Sequence, residues 1–359
     1  MSYITAIGTA TPQHQFSQSV IADFMVKAMQ LDEADAKKLR ALYRATGIES
    51  RYSVLSDYGK SGDYEFYANT GDLNPMPSTK RRLEFFRKHA VELSREAALR
   101  ALHDVNPKDV THLIVVSCTG LYAPGLDIDL IKALALRPDV QRTCINFMGC
   151  YAAINALKLA DSFCGNEPDA KVLIICTELC SLHFQNTNTD DNMLANALFG
   201  DGSASLMVEG KTRKGLNLKP ELFRCDLAMD GEEDMAWTVG DLGFEMKLSS
   251  YVPDIIRGGI KELTKKLLNG TNVNYFAIHP GGKRILEVIE KELGLSREQN
   301  AYAYNVLKKY GNMSSPTIVF VLQELCRNLN GVDHNKKILS FAFGPGLTME
   351  SMLLSVVNA

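Results

Sequence analysis

The sequence of 359 residues lacks an excess of charge, a long apolar run and a dense set of cysteines. Its 39 Lys and Arg against 42 Asp and Glu give a net charge of −3, whereas nucleic-acid-binding proteins usually carry a basic excess. No apolar run reaches the roughly 18 residues that a membrane span needs, and the first residues do not resemble a signal peptide. With 46% hydrophobic and 23% charged residues, the sequence predicts a globular, cytoplasmic protein.

Eight cysteines in 359 residues are too few for a disulfide framework. Cys176 and Cys180 are four residues apart, but no second pair at the spacing of a zinc site accompanies them, so no metal is predicted. Most of the others, such as Cys144 and Cys164, lie in apolar segments and are expected to be small buried residues. Cys150 does not fit this interpretation, for reasons of position given below.

Short apolar segments alternate with longer segments of helical periodicity, which predicts an α/β fold with helices covering the sheets. The predicted strands are Leu113–Ser117, Val172–Glu178, Ala204–Val208, Tyr275–His279, Ile338–Phe343 and Met352–Val357. The predicted helices are Leu83–Asp104, Ala152–Phe163, Val252–Leu268 and Ile285–Leu293. The segment Ser56–Pro77 has no apolar periodicity and is predicted to be a surface excursion.

Three landmarks occur twice in the same order, which predicts two similar halves. The pairs are His112–Gly120 with Asn274–Gly282, Gly149–Cys150 with Gly311–Asn312, and Gly200–Gly202 with Gly344–Gly346. We place the halves at residues 1–212 and 213–359, joined within Glu209–Pro220. Because Cys150 and Asn312 are 162 residues apart, as are the first pair of segments, they are predicted to occupy equivalent positions.

Cys150 lies where an extended segment changes into the helix that begins at Ala152. At a helix N-terminus the free N–H groups and the dipole stabilise a thiolate, so the thiol pKa is expected to be lowered. A cysteine buried in a core helix would show the same local pattern. This segment alone leaves both interpretations open.

His279 ends an apolar strand and is followed by Pro-Gly-Gly, the position at which α/β sheets commonly place their sites. Asn312 lies in the sequence Gly-Asn-Met-Ser-Ser. A hydrogen-bonded core histidine and a turn asparagine would explain either residue taken alone.

Taken together, these motifs resemble one family. The Gly-Cys pair at 149–150, His-Pro-Gly-Gly at 279–282, Gly-Asn-Met-Ser-Ser at 311–315 and Phe-Gly-Pro-Gly-Leu-Thr-Met-Glu at 343–350 resemble the signatures of chalcone-synthase-like enzymes, the type III polyketide synthases. Segments 111–115 and 198–206 resemble the family as well, and the resemblance extends from about Lys38 to the C-terminus. It implies a thiolase-like αβαβα fold of two pseudo-duplicated halves and a homodimer.

The resemblance also implies a catalytic Cys150, His279 and Asn312 and an iterative reaction. An acyl-CoA starter would be loaded on Cys150 and extended with malonyl-CoA by decarboxylative condensation, and the chain would cyclise to a pyrone, a resorcinol or another aromatic. His279 as imidazolium would pair with the Cys150 thiolate, and His279 and Asn312 would donate hydrogen bonds to the enolate oxygen. Only CoA thioesters and no further cofactor or metal are implied.

Further positions match substrate-binding sites of the family. They are Phe199, Met246, Phe244, Cys118, Cys180, His183, Ser314, Lys38, Arg44 and Arg284. Phe199 matches an aromatic gate, and the second gate falls on Met246, or on Phe244 if the alignment contains a small gap. Lys38 matches a CoA phosphate-binding position, with Arg44 nearby and Arg284 as a further candidate. Cys118 and the region of His183 depart from the chalcone-forming members, so chalcone is not predicted as the product.

Two other functions share these features. A ketoacyl-ACP synthase III has the same fold and the same Cys–His–Asn set but performs one condensation, and the Gly-Pro-Gly terminus and Phe199 favour the iterative enzyme instead. A non-catalytic CoA-binding relative would not need all three of Cys150, His279 and Asn312.

Overall fold

The computed structural model describes residues 1–231, 234–249 and 251–359. The strands are β1 (Tyr3–Ala10), β2 (His14–Ser17), β3 (Ser50–Ser53), β4 (His112–Ser117), β5 (Gln141–Asn146), β6 (Lys171–Leu179), β7 (Asp201–Glu209), β8 (Leu216–Leu227), β9 (Met235–Gly240), β10 (Gly243–Leu248), β11 (Tyr275–Ile278), β12 (Lys337–Gly344) and β13 (Thr348–Asn358). The helices are α1 (Gln18–Ala28), α2 (Glu33–Ala45), α3 (Thr79–Leu102), α4 (Leu126–Ala133), α5 (Ala152–Asn166), α6 (Asp190–Leu198), α7 (Val252–Leu268), α8 (Lys283–Leu293), α9 (Ala301–Tyr310) and α10 (Pro316–Cys326).

Nine strands form one mixed sheet in the order β11-β12-β13-β8-β1-β7-β6-β4-β5. β4 is parallel to β5 and β6, and β11 is parallel to β12, whereas the strands between β6 and β12 are antiparallel to their neighbours. The two halves of the sheet meet in its middle, where β1 pairs with β8 at Ile4 and Leu218. The order β4, β6, β7, β1 in the first half corresponds to β11, β12, β13, β8 in the second, with β5 as an additional edge strand of the first half. The sheet therefore consists of two similar halves.

Alternating side chains place helices on both faces of each half. In β4, Leu113 and Val115 pack in the core that contains α3, whereas Ile114 and Val116 pack in the core that contains α5 and α10. In the second half, Phe341 of β12 packs in the core with α7 and α8, and its neighbouring positions face α5 and α10. Because side chains of a strand alternate between faces, this arrangement gives five layers with α5 and α10 in the middle. The predicted αβαβα fold is confirmed.

Each predicted strand and helix is present, with ends that differ by a few residues. The segment Ser56–Pro77 was expected to lie on the surface, but its aromatic residues Tyr58, Tyr64, Phe66 and Tyr67 are buried in the first core. This segment lacks apolar periodicity because it packs through irregular backbone. Among the described residues, no helix is long and apolar enough to cross a membrane.

The expectation that Cys144 is buried is wrong. Cys144 is exposed, because it lies on β5 at the edge of the nine-stranded sheet. An apolar neighbourhood in the sequence does not distinguish a covered strand from an edge strand.

Candidate active site

One cavity of about 610 Å³ has Cys150, His279 and Asn312 in its wall. The three residues come from separate elements: Cys150 lies in the turn before α5, His279 directly follows β11, and Asn312 lies between α9 and α10. The pseudo-symmetry of the two halves brings these element ends to one place. All three side chains are at least nine-tenths buried, and they reach the same enclosed space.

Cys150 is held in a tight turn, Gly149–Tyr151, at the N-terminus of α5. Gly149 has a φ of +71°, and a Cβ at this position would collide with the ring of Pro345 from the other half. Only glycine satisfies both conditions. The predicted placement of Cys150 at the start of a helix is therefore confirmed, and a second-half loop shapes the turn.

The predicted lowering of the thiol pKa is wrong. Burial raises the pKa of Cys150 to about 11, and the side chains of Ser314 and Asn312 only partly offset this effect. Burial also lowers the pKa of His279 to about 3. Because desolvation disfavours both charged forms, the resting pair is a neutral thiol and a neutral imidazole near pH 7.

The imidazole of His279 has no hydrogen-bond partner at Nδ1 or Nε2 within the described part of the chain, although the residue is fully buried. Buried polar atoms normally have partners, and those that lack them often serve a function. Since His279 lines the cavity, its ring is available to a bound molecule.

The carboxamide of Asn312 has a fixed orientation. Its Oδ1 accepts hydrogen bonds from the N–H of Ser314 at 2.8 Å and from the hydroxyl of Thr317 at 3.4 Å. Its Nδ2 donates to the carbonyl of Gly281 at 3.3 Å and lies 3.9 Å from the Sγ of Cys150. Its Oδ1 also lies 3.9 Å from this sulfur, so both amide atoms are beside Cys150, and Nδ2 is the one that can donate to an oxyanion formed there.

Glu178 lies behind this site and was not identified from the sequence. Its Oε2 accepts from the N–H of Cys118 at 2.9 Å and the hydroxyl of Thr119 at 2.7 Å, and its Oε1 accepts from Ser315 at 2.8 Å. Burial raises the pKa of Glu178 to about 7. Its hydrogen bonds join the end of β4 to the loop that carries Asn312. The signal in the sequence is a carboxylate within an otherwise apolar strand.

His183 connects the cavity wall to the hairpin of β9 and β10. Its Nε2 donates to the carbonyl of Thr119 at 2.7 Å, its Nδ1 accepts from the N–H of Phe244 at 3.0 Å, and its ring stacks on Phe244 at 4.2 Å. Burial lowers its pKa to about 3, so the imidazole is neutral. Trp237, which sequence reasoning missed, donates from Nε1 to the carbonyl of Cys118 at 2.8 Å and also lines the cavity.

Seven of the ten predicted substrate-binding residues line the cavity, namely Phe199, Met246, Cys118, Cys180, His183, Ser314 and Arg284. Phe244 does not, because it is buried behind His183. Lys38 and Arg44 are exposed on α2, which contributes Leu42 and Ala45 to the wall instead. Lys283, next to Arg284, lines the cavity as well.

The described residues contain no cluster of three or more His, Cys, Asp or Glu side chains that could hold a metal ion. The cavity wall itself provides a buried thiol, an imidazole and a carboxamide from Cys150, His279 and Asn312.

Comparison with known proteins gives consistent results along the whole chain. Residues 1–211 match the N-terminal domain, and residues 225–358 the C-terminal domain, of chalcone and stilbene synthases. The alpha-pyrone synthesis polyketide synthase-like Pks18 of Mycobacterium tuberculosis is 31% identical over 100% of this chain and 92% of its own length. Probable polyketide synthase 1 of Dictyostelium discoideum is 30% identical over 99% of this chain, which corresponds to 11% of that protein.

Two solved structures share the fold. PKS-I from the brown alga Ectocarpus siliculosus matches with a TM-score of 0.93 and 31% identity, covering 99% of this chain and 98% of the other. The C-terminal type III polyketide synthase domain of Steely1, a type I/III hybrid from Dictyostelium, matches with a TM-score of 0.90 and 30% identity, covering 99% of both chains.

Proposed function

The chain belongs to the chalcone and stilbene synthase family of type III polyketide synthases, and from this premise we propose that Cys150, His279 and Asn312 catalyse its reaction and that the product is an α-pyrone. The enzyme is an acyltransferase with a thiolase-like fold that condenses an acyl-CoA starter with malonyl-CoA. It uses CoA thioesters without a further cofactor. The single observation that carries the residue assignment is the Asn312 amide 3.9 Å from the Cys150 sulfur in one buried cavity.

The first step loads the starter on Cys150. The thiol is neutral at rest, so it transfers its proton to the unpartnered imidazole of His279 as the sulfur attacks the thioester carbonyl. CoA leaves as the thiol after taking that proton. A cysteine thioester keeps the acyl carbonyl reactive, which an oxygen ester would not do as well.

The second step decarboxylates malonyl-CoA. The C–C bond to the carboxylate breaks, CO₂ leaves, and the electron pair forms an enolate on the thioester oxygen. An N–H of Asn312 donates to this oxygen, and His279 donates to it as well in the tautomer that carries the single proton of the neutral imidazole on Nε2. The enolate carbon then attacks the acyl carbonyl, the C–S bond to Cys150 breaks, and the extended chain is left as a CoA thioester. The freed Cys150 attacks that thioester in turn, which returns the chain to the enzyme and releases CoA. The buried surroundings of these groups limit competing protonation of the enolate by water.

The cavity and the relatives support an α-pyrone product. A cavity of about 610 Å³ lined by residues such as Met25, Leu194 and Trp237 accommodates an apolar starter and a short polyketide. An enol oxygen of the chain can attack the Cys150 thioester and expel the sulfur, which releases a lactone without water. The printed name of the Mycobacterium relative describes alpha-pyrone synthesis.

We assign four side chains of the cavity wall to the inner and outer ends of a tunnel that admits CoA thioesters. Phe199 and Met246 narrow the passage between the tunnel and Cys150, and Lys283 and Arg284 at the start of α8 receive the CoA phosphates. The N-terminus of α8 is the positive end of the helix dipole, so it attracts phosphate together with the two cationic side chains. Lys38 is exposed and paired with Asp35 at 2.8 Å, so we assign it and Arg44 a peripheral contribution.

We propose a homodimer formed along β5. This strand is the edge of the nine-stranded sheet, and its exposed side includes Arg142 and Cys144. An uncovered edge strand is a template for pairing with a second strand. Sedimentation of the wild type and of Cys144→Arg tests this: the wild type should be dimeric and the variant shifted toward monomer. The division at 212/213 and a cytoplasmic location remain predictions.

The function is tested by incubating the purified chain with malonyl-CoA and a panel of aliphatic and aromatic acyl-CoA starters, followed by mass spectrometry. We expect a lactone that carries at least two ketide units from malonyl-CoA. A product with one added unit would indicate a ketoacyl synthase, and no incorporation of labelled malonyl-CoA would indicate a non-catalytic relative. A resorcinol product would leave the family assignment intact and refute the α-pyrone.

A further inference from the structure

Arg51 is a buried cation in the wall of the cavity, only 4% exposed. Among the described residues, no carboxylate oxygen lies within ion-pair distance of it. A buried guanidinium without a paired carboxylate must be compensated by other acceptors, since desolvation of the charge is costly. Its hydrogen bonds therefore show what the charge is used for.

The guanidinium of Arg51 caps the C-terminal end of α6. Its Nη1 donates to the carbonyls of Asn196 at 2.8 Å and Phe199 at 2.5 Å, and its Nε donates to Oε1 of Gln18 at 2.9 Å. Gln18 in turn donates from Nε2 to the carbonyl of Ala197 at 2.8 Å. The last carbonyls of a helix lack partners within the helix and form the negative end of its dipole. Arg51 and Gln18 provide donors for these carbonyls, and Arg51 also provides a positive charge, at the point where α6 ends and Phe199 follows.

The same segment is paired with the backbone of Asn312. The N–H of Asn312 donates to the carbonyl of Leu198, and the N–H of Gly200 donates to the carbonyl of Asn312, both at 2.9 Å. The stem of Arg51 packs on the preceding residue, Gly311, where a Cβ would lie 2.9 Å from Arg51 Cδ. Arg51 thus contacts the backbone on both sides of this pairing.

We propose that Arg51 is a positioning residue that fixes the gate aromatic Phe199 relative to the carboxamide of Asn312. The proposal rests on the function proposed above, in which Asn312 acts in malonyl decarboxylation. Loading of Cys150 does not use the carboxamide, so it should depend less on Arg51. Lysine cannot replace arginine here, because one ammonium group lacks the planar fork that reaches two carbonyls and Gln18 together.

The test compares Arg51→Lys, Arg51→Met and Gln18→Leu in the full chain. The matched control is Arg327→Met, because Arg327 also lies at a helix C-terminus but is exposed and remote from the cavity. Three quantities are measured well below each melting temperature: acylation of Cys150 by intact-protein mass spectrometry, decarboxylation of malonyl-CoA without starter, and product formation. Circular dichroism establishes that each variant is folded.

We expect both Arg51 variants to lose about 30-fold or more in decarboxylation, because a displaced oxyanion donor costs less than the roughly 100- to 1,000-fold of a deleted one, while acylation changes by less than about 3-fold. Gln18→Leu should show the same selectivity with a smaller loss, and it keeps the question decidable if Arg51→Met does not fold. Equal losses in acylation and decarboxylation, or no loss in either, would refute the positioning role. Absence of both reactions in the wild type would instead refute the proposed function.

Discussion

The Nδ2 atom of Asn312 lies 3.9 Å from the sulfur of Cys150, although 162 residues separate them in the chain. That separation equals the offset between the repeated strand-and-glycine segments of the two halves. The proposed active site therefore joins equivalent positions of the first and second halves, one carrying the proposed nucleophile and the other the proposed hydrogen-bond donor.

Replacing the proposed nucleophile should abolish loading of the acyl group. Cys150→Ala removes the only thiol assigned to hold the acyl chain, so we expect no polyketide product and no mass shift of the protein with acyl-CoA. Cys180→Ala is the matched control, because Cys180 lines the same cavity. We expect this variant protein still to be acylated at Cys150. An acyl adduct on Cys150→Ala would show that another residue is the nucleophile.

Removing the carboxamide should affect carbon dioxide release first. Asn312→Ala deletes one oxyanion donor, and we expect decarboxylation of malonyl-CoA to fall by about 100- to 1,000-fold, equivalent to ~3–4 kcal/mol. The starter should still load on Cys150. Release of labelled CO₂ gives the rate, and Asn328→Ala, at an exposed surface position, serves as control. An unchanged rate would contradict the role assigned to Asn312.

The second gate can be decided by comparing two residues of β10. Met246 lines the cavity, whereas Phe244 is buried and stacks on His183. We expect Met246→Ala to change the starter preference and the number of extensions with little effect on the melting temperature. Phe244→Ala should lower stability by about 3–5 kcal/mol in chemical unfolding, as expected for a buried aromatic residue. The reverse pattern would identify Phe244 as the gate.

Replacing cationic side chains by alanine can show which of them bind the CoA phosphates. We expect the double variant Lys283→Ala, Arg284→Ala to raise the KM for acyl-CoA at least 10-fold with kcat nearly unchanged, because the cations bind ground state and transition state alike. The effect should decrease when the substrate is an acyl-pantetheine without phosphates. Lys38→Ala should alter KM by less than about 3-fold. A large effect of Lys38→Ala alone would move the site to α2.

The buried neutral His183 should make stability depend on pH. Its pKa is lowered from an ordinary value near 6.5 to about 3, so between these values the unfolded state binds a proton that the folded state does not. This contribution to stability is present above pH 6.5 and is lost as the pH falls toward 3.

Removal of His183 tests this sign. At pH 5, His183→Gln should reduce the slope of unfolding free energy against pH by about 1.4 kcal/mol per pH unit relative to the wild type. Burial raises the pKa of Glu178 to about 7 and of Asp201 to about 6, so these carboxyl groups make stability fall as the pH rises. Because this effect is the same in the wild type and in His183→Gln, it cancels when the two slopes are subtracted. His103→Gln, at an exposed position, is the control. If the unfolding free energies of the wild type and of His183→Gln differed by the same amount at pH 4 and at pH 6, His183 would not be a buried neutral imidazole.

The sequence allowed an α/β fold of two similar halves to be predicted from local patterns, namely apolar strands, glycine turns and their repeated order. The thiolase-like layering and the three candidate catalytic positions were predicted from the resemblance of their motifs to one family, because each motif alone had a structural explanation. The sequence did not allow the charge state of Cys150 to be predicted, because burial outweighs the helix N-terminus and depends on residues distant in the chain. The choice between Met246 and Phe244 was undecided for a similar reason. Both side chains point inward from β10, and only the position of His183 decides which of them reaches the cavity.

The hairpin of β9 and β10 lies outside the nine-stranded sheet and is fastened by side-chain contacts from Trp237, His183 and Thr79. Substitutions in it can therefore alter the size of the product without disturbing the strand register that aligns Cys150 with Asn312. Exchanging the hairpin between related synthases would therefore reshape one wall of the cavity while leaving the central sheet unchanged.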